Sequence, residues 1–400
     1  MVKPVLVVGR GWLRPCPPWW LENANWAVIL DGGSAVAACA LTEVNSSHDG
    51  TERAYQGVCG SVTNLARIKE QHGVPARGGM KYAKYHDLHG GDEQFRKSNY
   101  SDLVNKYYDL VTDFAEYRWG QSIHFAPRWH GETRLESIKR FEHFIALQLG
   151  LKKGMKVLDV GCGIGGPLTE IARFSSTQIT GLNNNAYQIS RGKEIISSAG
   201  LTEQCNFIKG DFMNMPFPDN TFDAAYAIEA TIHAPDALGA YKEIYRVLKP
   251  GQYFALDELC LTDRFDPNNA KHRNIKSQIE IGCGLPDIRS TRQCIQAMKD
   301  AGFEVVIAKD LAEDSECPWY QEIDPGVFSW TSFSNSCVGQ FLTYAIVGTL
   351  EFLRIAPKGL NRLFSIMQTA SHGLVTGSRE QIFTATFFVL GRKPLEETEI

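Results

Sequence analysis

From about Met80 onward the apolar positions of the chain fall into clear periods. In residues 92–117, DEQFRKSNYSDLVNKYYDLVTDFAEY, the side chains Tyr100, Leu103, Val104, Tyr107, Leu110, Val111 and Phe114 recur at helical spacing and predict an amphipathic pair of helices. Residues 132–151 predict another helix, with Leu135, Ile138, Phe141, Phe144, Ile145 and Leu147 on or near one face. The pattern then alternates. KVLDVGCG, TQITGLNNN, CNFIKGDF, FDAAYAIEA and QYFALDELC read as five short buried strands. Between them GPLTEIARFS, AYQISRGKEIISSAG and DALGAYKEIYRVLKPG read as helices, the second stopped at Gly200 and the third by Pro-Gly. Strands alternating with helices in this way predict an α/β fold with a doubly wound, mostly parallel sheet. Beyond residue 265 the pattern predicts helices in HRNIKSQIEIG and TRQCIQAMKDAG, a strand in FEVVIAKDLA, an apolar helix over Val338–Ile355, another helix, and a last strand, FTATFFVLGRK.

Residues 1–80 differ. PCPPWW, DGGSAVAACA and VPARGG sustain neither period, so loose structure is expected there. The longest apolar run, residues 26–41, is broken by Asp31 and two glycines, whereas a spanning helix needs roughly 20 apolar residues. It follows a Pro- and Trp-rich opening rather than a basic one, so neither a transmembrane helix nor a signal peptide is expected.

Charge narrows the function classes. A net charge of −4 with no basic clusters leaves no electrostatic footprint for nucleic acid. The ten cysteines contain no CxxC pair, so no metal site is expected, and they read as buried thiols of a reducing compartment.

The candidate chemistry sits at the strand ends. LDVGCGIGGP places Asp159, Gly161, Gly163, Gly165 and Gly166 between a strand and a helix. Glycines there let a ligand approach the backbone, and the helix start favours negative charge. The order G-x-G-x-G, with an acid two residues ahead, suits a nucleoside with an amino-acid tail whose ammonium meets Asp159; a tight turn without a ligand is the alternative. Asn183 or Asn184, about 20 residues on, is placed to bond a ribose, or forms part of a turn. Asp211 can accept from an adenine amino group with Phe212 flanking the ring, or can cap a helix. Glu229, Thr231 and His233 end the fourth strand at the same crevice.

Together YRWGQSIHFAPRWHGE, LDVGCGIGGP, GLNNNAYQI, IEATIHAPD, YKEIYRVLKPGQ, GLPDI and FTATFFVLGRKP resemble the sterol C24-methyltransferases, most closely the plant type acting on cycloartenol. These are class I S-adenosylmethionine-dependent enzymes with a Rossmann-like sheet, N-terminal helices and a C-terminal α+β extension. The likeness covers about residues 80–395. It implies a divergent segment over 1–80, a helical lid or substrate segment over 81–150, a cofactor-binding core over 151–265 and a substrate or cap region completing the sheet over 266–400.

The resemblance also implies a reaction. A methyl group joins a sterol side-chain alkene, leaving a carbocation that aromatic faces can stabilise without trapping. Tyr117, Trp119, His124 and Phe125 fall in the family's aromatic segment. Tyr117, Trp119 and Phe125 are expected to line the sterol and the cation, His124 to be wall or proton acceptor, and Gln121 and Ser122 to touch the cofactor. Glu229 and His233 are candidate bases for the final proton, with Asp257 or Glu258 behind them. Several positions depart from the family. Arg118 stands where a glycine is usual and would repel a cation if turned inward; Cys283 replaces an acid and Ile232 a cysteine; ALDELC makes the fifth strand's end less aromatic. Other readings left open are a methyltransferase for another lipid alkene or phenol, and a sterol- or cofactor-binding paralogue without turnover. A sterol partner implies peripheral contact with the cytoplasmic face of the endoplasmic reticulum, with a cytoplasmic protein as the alternative. Monomer and homo-oligomer both stay open.

Overall fold

A computed structural model of the chain describes residues 26–31, 34–39, 92–321, 323–324, 344–345, 347–349, 351–352 and 360–395. Strands β1 (Trp26–Asp31) and β2 (Ser34–Cys39) form an antiparallel hairpin. It belongs to a unit separate from the one that carries the main sheet.

That sheet has seven strands in the order β5-β4-β3-β6-β7-β9-β8. These are β3 (Lys156–Val160), β4 (Gln178–Asn183), β5 (Cys205–Lys209), β6 (Phe222–Ile228), β7 (Leu248–Leu261), β8 (Glu304–Asp310) and β9 (Phe383–Arg392). Strands β5, β4, β3, β6 and β7 pair in parallel, and β9 lies antiparallel between β7 and β8. The doubly wound, mostly parallel sheet expected from the sequence is therefore present.

Nine α-helices are described: α1 (Glu93–Ser98), α2 (Tyr100–Trp119), α3 (Arg134–Gln148), α4 (Gly166–Ser175), α5 (Ala186–Ser198), α6 (Ala237–Val247), α7 (Ala270–Cys283), α8 (Thr291–Asp300) and α9 (Leu360–Arg379). Alternate strand residues feed two cores. Leu158, Val160, Ala225, Ala227, Phe254 and Leu256 pack with Tyr241, Ile244 and Val247 of α6 and Met298 of α8. Their neighbours Val157, Ala224, Tyr226 and Ala255 pack with Ile138, Phe141 and Ile145 of α3, Leu168 and Ile171 of α4, and Ile189 of α5. Both faces are thus covered, as parallel sheets require, and the strands read as continuous apolar runs. A third core joins Leu259 and Phe383 to Ile275 and Ile279 of α7, Leu374 of α9, and Trp319.

Some boundaries differ from the pattern. Helix α6 ends at Val247, not at Pro-Gly, because Leu248 already pairs with Phe222 in the sheet. On α3, Leu135 and Leu147 are exposed; the buried seam is Ile138, Phe141 and Ile145. Its start is fixed by a capping box, Thr133 with Glu136. On α2 the buried seam is Leu103, Val104, Tyr107, Val111 and Ala115, and Phe114 is exposed. Of the expected apolar helix over 338–355, only 344–345, 347–349 and 351–352 are among the described residues, all helical. Among the described residues no helix is long and apolar enough to cross a membrane.

Candidate active site

Strand β3 ends at Val160, and Gly161, Gly163 and Gly165 follow with φ of 77°, 54° and 84°. Those values favour glycine and turn the backbone sharply into α4. A Cβ at Gly163 would meet nothing within 4 Å, so the loop's inner side faces open space. At Gly166 a Cβ would stand 2.3 Å from the carbonyl oxygen of Gln121 and 2.5 Å from the nitrogen of Ser122. The segment after α2 therefore lies directly on the start of α4, and only glycine admits it.

A cavity opens here, beyond the carboxyl ends of β3, β4 and β6. The glycine loop, Asp159, Asn183, Asn184 and Phe212 line one side; Tyr100, Val104 and Tyr108 of α2, Gln121, Ile123 and His124, and Glu229 and His233 complete the wall. Asp159 is buried and accepts from the Tyr226 hydroxyl at 3.0 Å. Burial pushes its carboxyl up to about 7, a push the nearby Glu142 adds to and the Tyr226 hydrogen bond and His124 oppose. An ammonium group is the partner such a carboxyl lacks.

The three asparagines divide their roles. Asn183 donates to the Gly163 carbonyl at 3.1 Å and to Gln188 at 2.8 Å, bracing the glycine loop. Asn184 lines the cavity, half-buried, and is the better placed of the two to meet a ribose. Asn185 caps α5 and donates to Asp109 of α2 at 2.8 Å. Phe212 flanks the cavity, but Asp211 does not line it. One Asp211 oxygen accepts from the Met213 nitrogen at 2.9 Å and the other from the Tyr100 hydroxyl, so it fixes a turn and caps no helix.

The aromatic segment is split. Tyr117 and Arg118 sit on the last turn of α2, and their side chains lie outside the described ones. Trp119 and Phe125 do not line the cofactor cavity. With Ala126, Ile138, Trp319 and Ile323 they line a smaller adjoining cleft, and the Phe125 and Trp319 rings lie 4.5 Å apart. His124 borders both spaces. Gln121 reaches the cavity; Ser122 turns away and donates to Glu142 at 2.6 Å.

His124 is not arranged as a proton acceptor. Its Nδ1 faces the Phe125 carbonyl at 2.7 Å and its Nε2 faces Glu142 at 3.3 Å, so both nitrogens face acceptors, an arrangement that favours the protonated ring. Burial alone would push its pKa down; the Glu142 hydrogen bond and charge outweigh that and raise it. Glu142, buried on α3, carries no signal in the sequence, where it reads as a polar position of an amphipathic helix.

Glu229 follows β6 with a left-handed φ of 49°, a conformation that costs a non-glycine residue on the order of 1 kcal/mol or more. Its Oε1 accepts from the Phe125 nitrogen at 2.5 Å, and burial pushes its carboxyl up to about 7. Behind it, burial holds Asp257 and Glu258 well above the carboxylate range, and both Asp257 oxygens lack a partner. His233 is buried on the 3₁₀ turn Thr231–His233, and burial pushes its pKa down to about 4. Tyr108, which the periodicity does not single out, donates to or accepts from His233 Nε2 at 2.9 Å. Ile232 joins the third core, and burial pushes the Cys283 thiol up to about 12. Among the described residues no cluster of His, Cys, Asp and Glu could hold a metal.

The residues fit S-adenosylmethionine: an open glycine cradle, a buried acid at the strand end, a half-buried amide lining the cavity and an aromatic flank. The comparisons with known proteins agree. Residues 151–298 match the methyltransferase domain family, and residues 330–395 match the sterol methyltransferase C-terminal family. The chain is 62% identical over 317 residues to the cycloartenol-C-24-methyltransferase 1 of Oryza sativa subsp. japonica, covering 79% of this chain and 92% of that one. Identity is also 62% to the cycloartenol-C-24-methyltransferase of Arabidopsis thaliana, over 78% of this chain and 94% of that one. It is 43% to the sterol 24-C-methyltransferase of Candida albicans, over 84% and 91%. Among solved structures, the geranyl diphosphate C-methyltransferase of Streptomyces coelicolor, determined with S-adenosyl-L-homocysteine, aligns with a TM-score of 0.54 at 15% identity, over 74% of this chain and 98% of that one. A putative sarcosine dimethylglycine methyltransferase of Galdieria sulphuraria gives 0.54 at 22% identity, over 70% and 97%. The structural likeness shows the fold; relatives at this identity and coverage show more, and the chain belongs to the sterol C24-methyltransferase family of S-adenosylmethionine-dependent enzymes.

Proposed function

We propose that the chain transfers a methyl group from S-adenosylmethionine to the C24 double bond of a sterol, with cycloartenol as the preferred substrate. The observation that carries this reading is 62% identity to two cycloartenol methyltransferases over more than nine-tenths of each (92% and 94%). The bound cofactor supplies an electrophilic methyl group; the alkene itself is the nucleophile, so the protein has no nucleophile to activate.

The protein's task is the cation that remains. The Tyr108 ring offers the cavity a negative face that attracts a cation without bonding to it, and Trp119 and Phe125 line the adjoining cleft. The Glu229 carboxyl, lifted to about 7, is partly protonated at neutral pH, and burial disfavours the charged forms of Asp257 and Glu258. The cavity thus places few fixed anions near a carbon that would capture one. Glu229 and His233 border the space from which a proton must finally leave.

Incubation with methyl-labelled cofactor and cycloartenol is expected to give a C24-methylated sterol. A protein that binds the cofactor yet labels no sterol would overturn the reading. Offering the already methylated product in parallel distinguishes one transfer from two. Because sterols reside in bilayers, the reading includes peripheral contact with the cytoplasmic face of the endoplasmic reticulum. Exposed Trp129 and Leu135 support it. Cosedimentation with cycloartenol-loaded liposomes checks that part, and protein left entirely in the supernatant would remove it.

A further inference from the structure

Tyr108 occupies a position that neither the aromatic segment nor the cofactor loop accounts for. It lies on α2 beside the buried seam residue Tyr107 and faces the cavity. Its hydroxyl is 2.9 Å from Nε2 of His233, and the two rings meet edge to face, with centroids 5.4 Å apart and planes at 70°. The imidazole is firmly set. Arg289 clamps the 3₁₀ turn beneath it, donating to the Thr231 carbonyl at 3.1 Å and the Ala234 carbonyl at 2.5 Å. Nδ1 of His233 is buried outside hydrogen-bond geometry, and an interaction with the Gly284 backbone favours a proton on the ring. Burial keeps the ring neutral, with its pKa near 4. A neutral imidazole has one bare nitrogen, and the phenol can donate to Nε2 when the ring proton is on Nδ1.

We propose that Tyr108 takes up the proton lost from the methylated sterol cation and passes its own proton to Nε2 of His233. This rests on the C24-methylation reading above. The C–H bond next to the cationic carbon breaks, and its electron pair becomes the new double bond, which discharges the cation. The proton forms an O–H bond at Tyr108 as the original O–H breaks toward His233. Tyr108 ends as a neutral phenol and His233 as an imidazolium, which returns its proton to solvent during product release. No other reactant is needed.

Chemistry favours this pair over the acid across the cavity. A proton beside a carbocation is so acidic that a weak neutral acceptor suffices. An ionised carboxylate would instead collapse onto the carbon as an ester. One oxygen of Glu229 is also engaged by the Phe125 nitrogen. Tyr108 further presents its ring to the same space, where the cation is attracted to its face. Tyr108 is therefore the catalytic residue, and His233 acts through it.

The experiment reads the fate of the cation. Full-length protein, wild type and Tyr108→Phe, is incubated with labelled cofactor and cycloartenol, and the labelled sterols are separated. Phenylalanine keeps the ring and removes only the acceptor. The alkene share of methylated sterol is expected to fall at least tenfold, replaced by a water-trapped tertiary alcohol or a displaced alkene isomer. His233→Asn is expected to shift the product ratio the same way, and the double variant no further than the Tyr108→Phe single. A merely structural role for His233 would lower all products together. An unchanged product ratio in Tyr108→Phe overturns the proposal, as does complete loss of methyl transfer in folded protein, since the hydroxyl would then be needed before the cation forms. If the wild type labels no sterol, the C24-methylation reading fails instead, and the two failures are distinguishable.

Discussion

Asp159→Asn is expected to weaken S-adenosylmethionine binding by on the order of 100-fold, about 3 kcal/mol, with little change in fold. Asparagine keeps the size and the acceptor for the Tyr226 hydroxyl but cannot carry charge. The wild-type carboxyl is costly to ionise in the free protein, because burial lifts it to about 7, and a bound ammonium is what makes ionisation favourable. Binding should therefore depend on pH. Above about 7 the acid is already ionised and that cost is gone; below it a proton must be displaced, and affinity falls toward tenfold per pH unit. Stability has the opposite sense. A carboxyl raised above its unfolded value stabilises the fold most below pH 3.8, and that contribution is lost as pH rises through about 7. The cofactor should thus raise the melting temperature more at pH 8 than at pH 6. Titration calorimetry at several pH values checks the affinities, and equal affinity in Asp159→Asn and wild type at pH 8 would remove Asp159 from the cofactor site.

The sheet and the glycine loop were readable in the sequence because their causes are local. Leu158 and Val160 face one core and Val157 the other, so burial on both faces leaves an apolar run interrupted only by Asp159. Gly161, Gly163 and Gly165 mark the loop because the backbone turns left-handed at each. The rest of the site depends on partners distant in sequence. Tyr107 and Tyr108 are adjacent, about 100° apart around the helix. Periodicity identifies the seam that holds Tyr107 but not the strand-end histidine that its neighbour meets. Asp211 has the residue type and position of a cofactor contact, yet Tyr100 and a backbone nitrogen use its oxygens. Trp119 and Phe125 read as one aromatic wall with the cofactor loop, but the chain turns at Gly120, where φ is 84°, and the two rings enter the adjoining cleft.

Glu142 is the largest of these omissions, and Glu142→Leu is expected to cost about 3–5 kcal/mol of stability, the range for stripping a buried charge of its partner. The carboxylate holds Ser122 at 2.6 Å and His124 at 3.3 Å, and His124 holds the Phe125 carbonyl. The next link is the Phe125 nitrogen on Glu229. A chain of contacts thus runs from α3 through residues 122–125 to the end of β6. The segment it fixes is the one seated against Gly166. Without Glu142, His124 must remain buried as an unpaired cation or lose its proton. Wild-type His124 has a raised pKa, so its contribution is complete below pH 6.5 and fades as pH rises through the folded value. Stability of Glu142→Leu should lack that part of the pH dependence. Glu142→Leu/His124→Phe removes both charges and is expected to recover at least 1.5 kcal/mol relative to the sum of the single variants. Urea unfolding of the four proteins closes the cycle. Costs that simply add would mean that His124 and Glu142 act independently, and residues 122–125 would then owe their position to the Ser122–Glu142 and Phe125–Glu229 hydrogen bonds and the Gly166 contact.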